Sequence, residues 1–204
     1  MAYGGYEGVL RELVHLLKYG GVRPAACVLG RVLAEAISAH GLFNGTVAAS
    51  SLLVIPVPLH RSKQRERGFN HAELIARAAL KLLAADARRV QGEMVLGRDV
   101  LERTRETRSQ IGLTIQQRRE NMRGAFAVRR AQEVNGREVR LVDDVFTTGA
   151  TVSECARVLR RAGASRVWVA TVARTLKTAS QSMKLGSRSV GAEYESALAE
   201  ATGS

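Results

Sequence analysis

The residues with the clearest chemistry are two adjacent carboxylates, Asp143 and Asp144, followed by Val145-Phe146 and then Thr147-Thr148-Gly149-Ala150-Thr151. An ionised aspartate only accepts hydrogen bonds, so a pair of them suits a partner with two neighbouring donors, such as the vicinal diol of a ribose. The threonines and the glycine suit an anion instead. If they open a helix, its first turn presents about four unpaired N–H groups and roughly half a positive charge. A phosphate fits there, with Gly149 allowing close backbone approach and the hydroxyls of Thr147, Thr148 and Thr151 donating to its oxygens. Acids and anion cradle side by side therefore point to a phosphorylated sugar.

The flanking residues supply the elements that would position this turn. Val139, Leu141 and Val142 read as a short buried strand, ending where the two aspartates stand. Val152, Cys155, Ala156 and Leu159 recur at helical spacing, and Gly163 follows the helix end. Adjacent acids alone would be a solvated turn, and Thr-Thr-Gly alone a well-capped helix start. Together, between a buried strand and an amphipathic helix, they are far more specific. A Walker loop is excluded because no lysine follows the glycine, and a dinucleotide fingerprint because the glycine spacing is wrong.

A second strand, Ser51 to Pro58, is followed directly by Leu59-His60-Arg61-Ser62-Lys63-Gln64-Arg65-Glu66-Arg67-Gly68-Phe69-Asn70. Pro56 and Pro58 break its outgoing end, and either bond is a candidate for the cis form. The charge run reads as a loop at a sheet edge, where open α/β sheets bind ligands. Its cations Arg61, Lys63 and Arg65 suit a diphosphate, whose charge grows as it departs. Asn70 with Glu73 then caps a helix carrying Leu74, Ile75, Ala78, Leu82 and Leu83 inward.

Upstream, Tyr6 to Tyr19 is an amphipathic helix with Val9, Leu10, Leu13, Leu16 and Leu17 on one face, stopped by Gly20-Gly21. Pro24 opens another to about His40, with Val28, Val32, Leu33 and Ile37 inward. His15 and His40 have no partners at ligand spacing. Downstream, Arg98 to Arg123 is a long basic excursion in which Thr114 and Gln117 cap a short helix through Met122. Such excursions are lids or loops. Ala125 to Val128 reads as a short strand, Asn135-Gly136 as a turn, and Arg166 to Val172 as a Val-rich strand with Trp168 in the core. Residues 175–204 are rich in Ser, Thr, Gly and Ala and read as a mobile tail, with a weak helix near Tyr194 to Ala201.

With 204 residues the chain is long enough for one domain with a sizeable core, here 1–174 with the helices of 6–40 packed on it. The formal net charge of +12, carried mostly by arginine, implies an anionic partner: phosphate-rich small molecules or nucleic acid. Cys27 and Cys155 fall on apolar helix faces and read as packing, which fits a reducing compartment. No apolar stretch approaches the roughly 18 residues needed to span a bilayer. The expectation is a soluble, cytoplasmic protein with no membrane contact.

The acid pair and its threonine turn resemble the 5-phosphoribosyl-1-diphosphate (PRPP) motif of type I phosphoribosyltransferases. Pro56 to Ala72, and Arg103-Thr104-Arg105-Glu106-Thr107-Arg108-Ser109-Gln110 with Leu113, Arg118, Asn121 and Gly124-Ala125-Phe126, are similar to the signature of the ComF family. With these three motifs in order, the resemblance covers Tyr6 to about Arg174. The resemblance implies an α/β domain of the type I phosphoribosyltransferase fold, a mainly parallel central sheet flanked by helices, with a flexible hood that closes over PRPP. It implies that Asp143 and Asp144 hold the ribose and that Thr147, Thr148, Gly149, Ala150 and Thr151 hold the 5-phosphate. Arg61, Lys63 and Arg65 would hold the diphosphate, with Mg²⁺ bound through PRPP and no direct protein ligand to the metal. Arg103, Thr104 and Gln110 would belong to the hood.

The activity so implied is transfer of the phosphoribosyl group to an unidentified acceptor with release of diphosphate. The aspartate pair is the foremost candidate for a general base, ahead of His60 and His71. The alternative is a competence-related protein that handles single-stranded DNA, alone or with the uptake machinery, in which the PRPP site is regulatory or vestigial. Many ComF proteins carry a four-cysteine zinc module at the N-terminus. Those cysteines are missing here, so no zinc is expected. A homodimer is expected by the same resemblance.

Overall fold

The computed structural model describes residues 1–39, 52–85, 94–108 and 112–175. Its centre is a five-stranded sheet in the order β1-β7-β6-β2-β3, built from β1 (Ala2–Gly5), β2 (Leu52–Pro56), β3 (Met94–Leu96), β6 (Glu138–Phe146) and β7 (Arg166–Arg174). Every neighbouring pair is parallel. Strands buried on both faces need continuous apolar runs, and β2, whose five residues are all buried, has one. The two-stranded antiparallel ladder of β4 (Leu101–Arg103) and β5 (Phe126–Val128) stands apart from the main sheet.

Helices cover both faces. α1 (Gly8–Lys18), α2 (Ala25–Ala39) and α4 (His71–Ala85) bury Val14, Leu17, Leu29, Leu33, Ile75 and Leu83 against Leu52, Val54, Val142 and Val172 of the sheet. On the other face α6 (Ala150–Arg161) buries Val152, Cys155 and Leu159 against Leu53, Ile55, Leu141 and Val169. The same core takes in Leu101, Met122 and Phe126 from β4, α5 (Ile115–Met122) and β5. The hood is therefore founded on the core, not strung over it. Glu154 of α6 strengthens that footing: its carboxylate accepts from the Gly124 N–H at 2.7 Å and from Arg157.

Several expectations are met closely and others are corrected. The capping box of Thr114 and Gln117 opens α5 as read, and the Gly163 that follows α6 has φ of 94°. The strand carrying the acids continues past them to Phe146. Val9, Leu16, Val28 and Leu82 are exposed, because the buried lines of their helices run through Val14 and Leu17, Leu29 and Leu33, and Ile75 and Leu83. Cys27 is exposed as well, so the packing role read for it does not hold, whereas Cys155 is buried. Trp168 is half-buried and lies over the buried Arg140 guanidinium, 5.6 Å from ring centre to carbon. No peptide bond among the described residues is cis, so Pro56 and Pro58 take ordinary trans bonds. His40, the end of the tail beyond Thr175 and its proposed helix lie outside the described residues. Within the described residues no helix is long and apolar enough to cross a membrane.

α2 and α4 approach closely at Gly30, where an added Cβ would lie 2.4 Å from the Ala78 Cβ and 2.9 Å from the Ala79 nitrogen. A methyl group there overpacks two helices at their contact. Gly30→Ala is expected to destabilise the fold by about 1–3 kcal/mol, read as a lower urea midpoint with unchanged slope.

Candidate functional site

β2 and β6 are hydrogen-bonded neighbours, yet the chain leaves them in opposite directions, from β2 through α4 to β3 and from β6 through α6 to β7. A crevice opens outside the carboxyl ends of two such strands, and ligands of open α/β sheets bind in it. The last stitch between them, Val57 N–H to Val142 O at 2.8 Å, comes one residue before Asp143. Asp143 and the turn Thr147–Gly149 thus lie at the β6 side of this crevice, and the segment after Pro58 at the β2 side.

The turn has the form of an anion cradle. Gly149 is the N-cap of α6 at φ 75°, and among the described residues no side chain caps the helix. Its left-handed conformation favours glycine, and a Cβ there would lie 2.9 Å from the Phe146 ring. Thr147 is exposed, and the Thr148 Oγ1 is buried without a partner among the described residues. A buried hydroxyl beside an uncapped helix N-terminus is one that a bound anion would satisfy.

The two aspartates have different surroundings. Asp144 turns under α1 and α4, where its Oδ2 forms an ion pair with Lys18 and lies 3.3 Å from His71 Nε2. Its Oδ1 accepts from the Val145 N–H at 2.7 Å. Arg67 NH1 lies 3.4 Å from His71 Nδ1, and because arginine has no acceptor, Nδ1 accepts and the proton is on Nε2, the nitrogen nearer Asp144. Arg67 in turn lies over the Tyr19 ring, 5.3 Å from its centre. Burial opposes the charge on Asp144, but His71 and Lys18 beside it hold the carboxyl below its ordinary range. Burial pushes His71 down to about 4, so the ring is neutral at ordinary pH.

Asp143 is half-buried, its Oδ1 accepting from the Asp144 N–H at 3.0 Å. Burial, and then the charge of Asp144, raise its carboxyl to about 7. It lies toward Cys155 of α6 and Arg103 of β4, both of which feel its charge.

The segment after β2 departs from the loop expected there. Residues Arg61–Arg67 form a short helix, α3, capped by His60, whose side chain accepts from the Ser62 N–H, and closed by Gly68 at φ 74°. It buries no residue, so no apolar stripe marks it in the sequence. Arg61 and Arg65 share a face one turn apart, while Lys63 is turned about 200° from Arg61 and pairs with Glu66 at 2.8 Å. The three cations are all exposed and do not converge on one point. Ser62 Oγ donates to Glu106 Oε1 at 2.9 Å, which ties α3 to the hood.

In the hood, Arg103 lies over Phe126 at 5.6 Å, donates to Thr107 Oγ1, and keeps its Nε buried without a partner among the described residues. The Thr104 N–H donates to Ala125 O at 3.0 Å, a backbone role. Arg105 donates to the carbonyls of Asn121 and Arg123 at 2.9 and 3.1 Å, closing the C-terminal end of α5. Gln110 lies outside the described residues. Lys18 and Arg67 were not anticipated as site residues. Lys18 follows Val14 by four residues, which places a lysine on the buried line of α1, and that register is the signal that marks it.

His71, Asp143 and Asp144 bring ligand atoms within 4.8 Å of one another. The Lys18 ammonium already occupies Asp144, so this set is arranged around a fixed cation and does not form a free cage for a divalent one.

The phosphoribosyl transferase domain family matches residues 75–192 of this chain. The chain belongs to that family. A more particular relation comes from curated relatives. Competence protein F of Haemophilus influenzae is 34% identical over 122 residues, covering 59% of this chain and 49% of that protein. DNA utilization protein YhgH of Escherichia coli O157:H7 is 33% identical over 171 residues, covering 84% of this chain and 70% of that protein. The chain is thus a ComF-family protein of the type I phosphoribosyltransferase-like group, and it spans about half the length of the Haemophilus relative. Among solved structures, the allosteric regulatory enzyme of purine biosynthesis aligns with a TM-score of 0.43 at 20% identity, over 86% of this chain and 33% of that one.

The pH dependence of stability tests the assigned surroundings of this ComF-family site. Between pH 4 and 6.5 the unfolded chain protonates His71 and the folded one does not, so this residue makes stability rise with pH by up to about 3 kcal/mol. Asp143 acts oppositely: between its ordinary range and 7 the folded chain holds the extra proton, so stability falls as pH rises. Urea midpoints of His71→Gln should therefore decline from pH 4 to 7, and those of Asp143→Asn should climb over the same interval.

Proposed function

We propose that this protein binds PRPP in the crevice between β2 and β6 and transfers its phosphoribosyl group to an acceptor nucleophile, releasing diphosphate. The observation that carries the reading is the uncapped start of α6, with the buried unpartnered Thr148 hydroxyl and Gly149 at positive φ, directly beside the acid pair. The 5-phosphate sits on Thr147 to Thr151, and the ribose diol donates to the aspartates, chiefly to the less encumbered Asp143. Arg61 and Arg65 attract the diphosphate from their shared face of α3, with Lys63 adding to the field. A magnesium ion carried in with the diphosphate would supply counter-charge to the leaving group beside Arg61, Lys63 and Arg65. The hood excludes water while the anomeric carbon is cation-like, and its footing in the core limits how far it moves. The setting is cytoplasmic.

A second reading takes its support from the net charge of +12, the exposed arginines of α3 and the hood, and relatives named for competence and DNA utilization. In it the basic face holds single-stranded DNA and PRPP acts as a regulator. Stacking surface is scarce there, since Phe69 is covered by the Arg23 guanidinium at 5.2 Å.

Calorimetry with PRPP and Mg²⁺ separates the two readings. Binding heat is expected for the wild type, with at least about 100-fold weaker affinity in the Asp143→Ala, Asp144→Ala double variant, since each lost carboxylate removes a charge-assisted hydrogen bond. Wild type with no heat, together with single-strand affinity that falls at a log-log salt slope of about −0.7 per phosphate contact, would favour the second reading.

A further inference from the structure

We propose that Lys18 is a positioning residue of this site: its ion pair with Asp144 holds that carboxylate ionised and immobile, and so leaves Asp143 as the member of the pair that gives up a proton when the ligand's diol binds. The proposal deepens the PRPP reading and rests on it for the ligand's identity, but not for the behaviour of the free protein.

The geometry separates the two acids. Asp144 has the Lys18 ammonium and the His71 ring against its Oδ2 and the Val145 N–H on its Oδ1, and only 4% of it is exposed. Buried and paired in this way, it offers a diol less than Asp143 does. Asp143 receives one backbone N–H and, among the described residues, no ion pair with a cation. Two carboxylates this close do not both ionise readily, and the cation decides which one does. Lys18 itself is four-fifths buried, and a buried ammonium needs its counter-ion.

The other groups facing the pair do not compete for the proton. On the Asp144 side stand Tyr6 and Tyr19 by α1, Arg67 of α3 and His71 of α4; on the Asp143 side stand Cys155 of α6 and Arg103 of β4. Arginine stays charged, burial drives the Tyr6 and Cys155 protons on more tightly, and burial keeps His71 neutral down to about 4. Asp143 is then the group that changes state near neutrality. When the diol donates to it, the ionised form is favoured and one proton passes to solvent.

The test uses the full chain with ¹³C-labelled aspartate carboxyls, followed by NMR against pH without ligand. In the wild type the Asp144 signal should stay flat through the neutral range while Asp143 titrates. Lys18→Gln, which keeps a donor but no charge, should move the Asp144 titration upward by about two pH units, as expected for loss of an adjacent opposite charge. Lys18→Arg should restore the wild-type pattern. An Asp144 signal in Lys18→Gln that titrates as in the wild type would overturn the proposal; if that variant does not fold, Lys18→Met in an Asp143→Asn background gives the same Asp144 readout.

Calorimetry with PRPP and Mg²⁺ near pH 6, in buffers of different ionisation enthalpy, supplies the second arm. About one proton should leave per ligand in the wild type and more in Lys18→Gln, with weaker binding, because a neutralised Asp144 must also be cleared. Weaker binding with an unchanged proton count and parallel pH profile would mean a merely structural lysine and would also overturn the proposal. Absence of wild-type heat would refute PRPP as the ligand, while the carboxyl titration still decides the role of Lys18.

Discussion

The constraint on which this molecule depends is the parting of two parallel strands. β2 and β6 are stitched together as far as Val57 and Val142, after which their chains leave toward opposite edges of the sheet. Parallel strands demand crossovers, and crossovers that diverge leave a gap no backbone fills. The acid pair, the threonine turn and the basic helix α3 are all set on the lips of that gap. The same residues at another strand junction would have a helix packed against them.

A buried carboxylate at such a point is costly, and the fold meets the cost with three layers of support. Lys18 supplies the charge, His71 sets its ring 3.3 Å from the carboxylate, and Arg67 fixes the tautomer that puts the proton on the nearer nitrogen. Each comes from a different helix, so α1, α3 and α4 are held in register by electrostatics as well as by apolar contact. α3, which buries no residue of its own, depends on such ties: Arg67 toward the core and Ser62 toward Glu106 of the hood.

How much of this was readable in the sequence follows from the physics of each part. The strand and helix around the acid pair were readable because Val139, Leu141, Val152, Cys155 and Leu159 bury apolar surface at strand and helix periods. The hood helix announced itself through Thr114 and Gln117, a local hydrogen-bond motif that needs no tertiary context. α3 could not announce itself that way, since it has no apolar face and only His60 and Gly68 mark its ends. β1 and β4 are too short to carry a period, and their pairing partners lie far along the chain. Lys18 was passed over because a lysine on a helix is read as solvated. Its partner became visible only when β6 was brought beneath α1.

The family match begins at residue 75, inside α4, and so leaves out β1, α1, α2, β2 and α3. What it omits is not decoration. A fragment cut to the matched limits would lose two of the five strands, among them the one that forms half of the crevice, and would strand the Asp144 charge without its ammonium. The recognisable motif and the foldable unit are therefore different objects in this protein. Work on the isolated motif would be work on an open sheet edge with an orphaned anion beneath it.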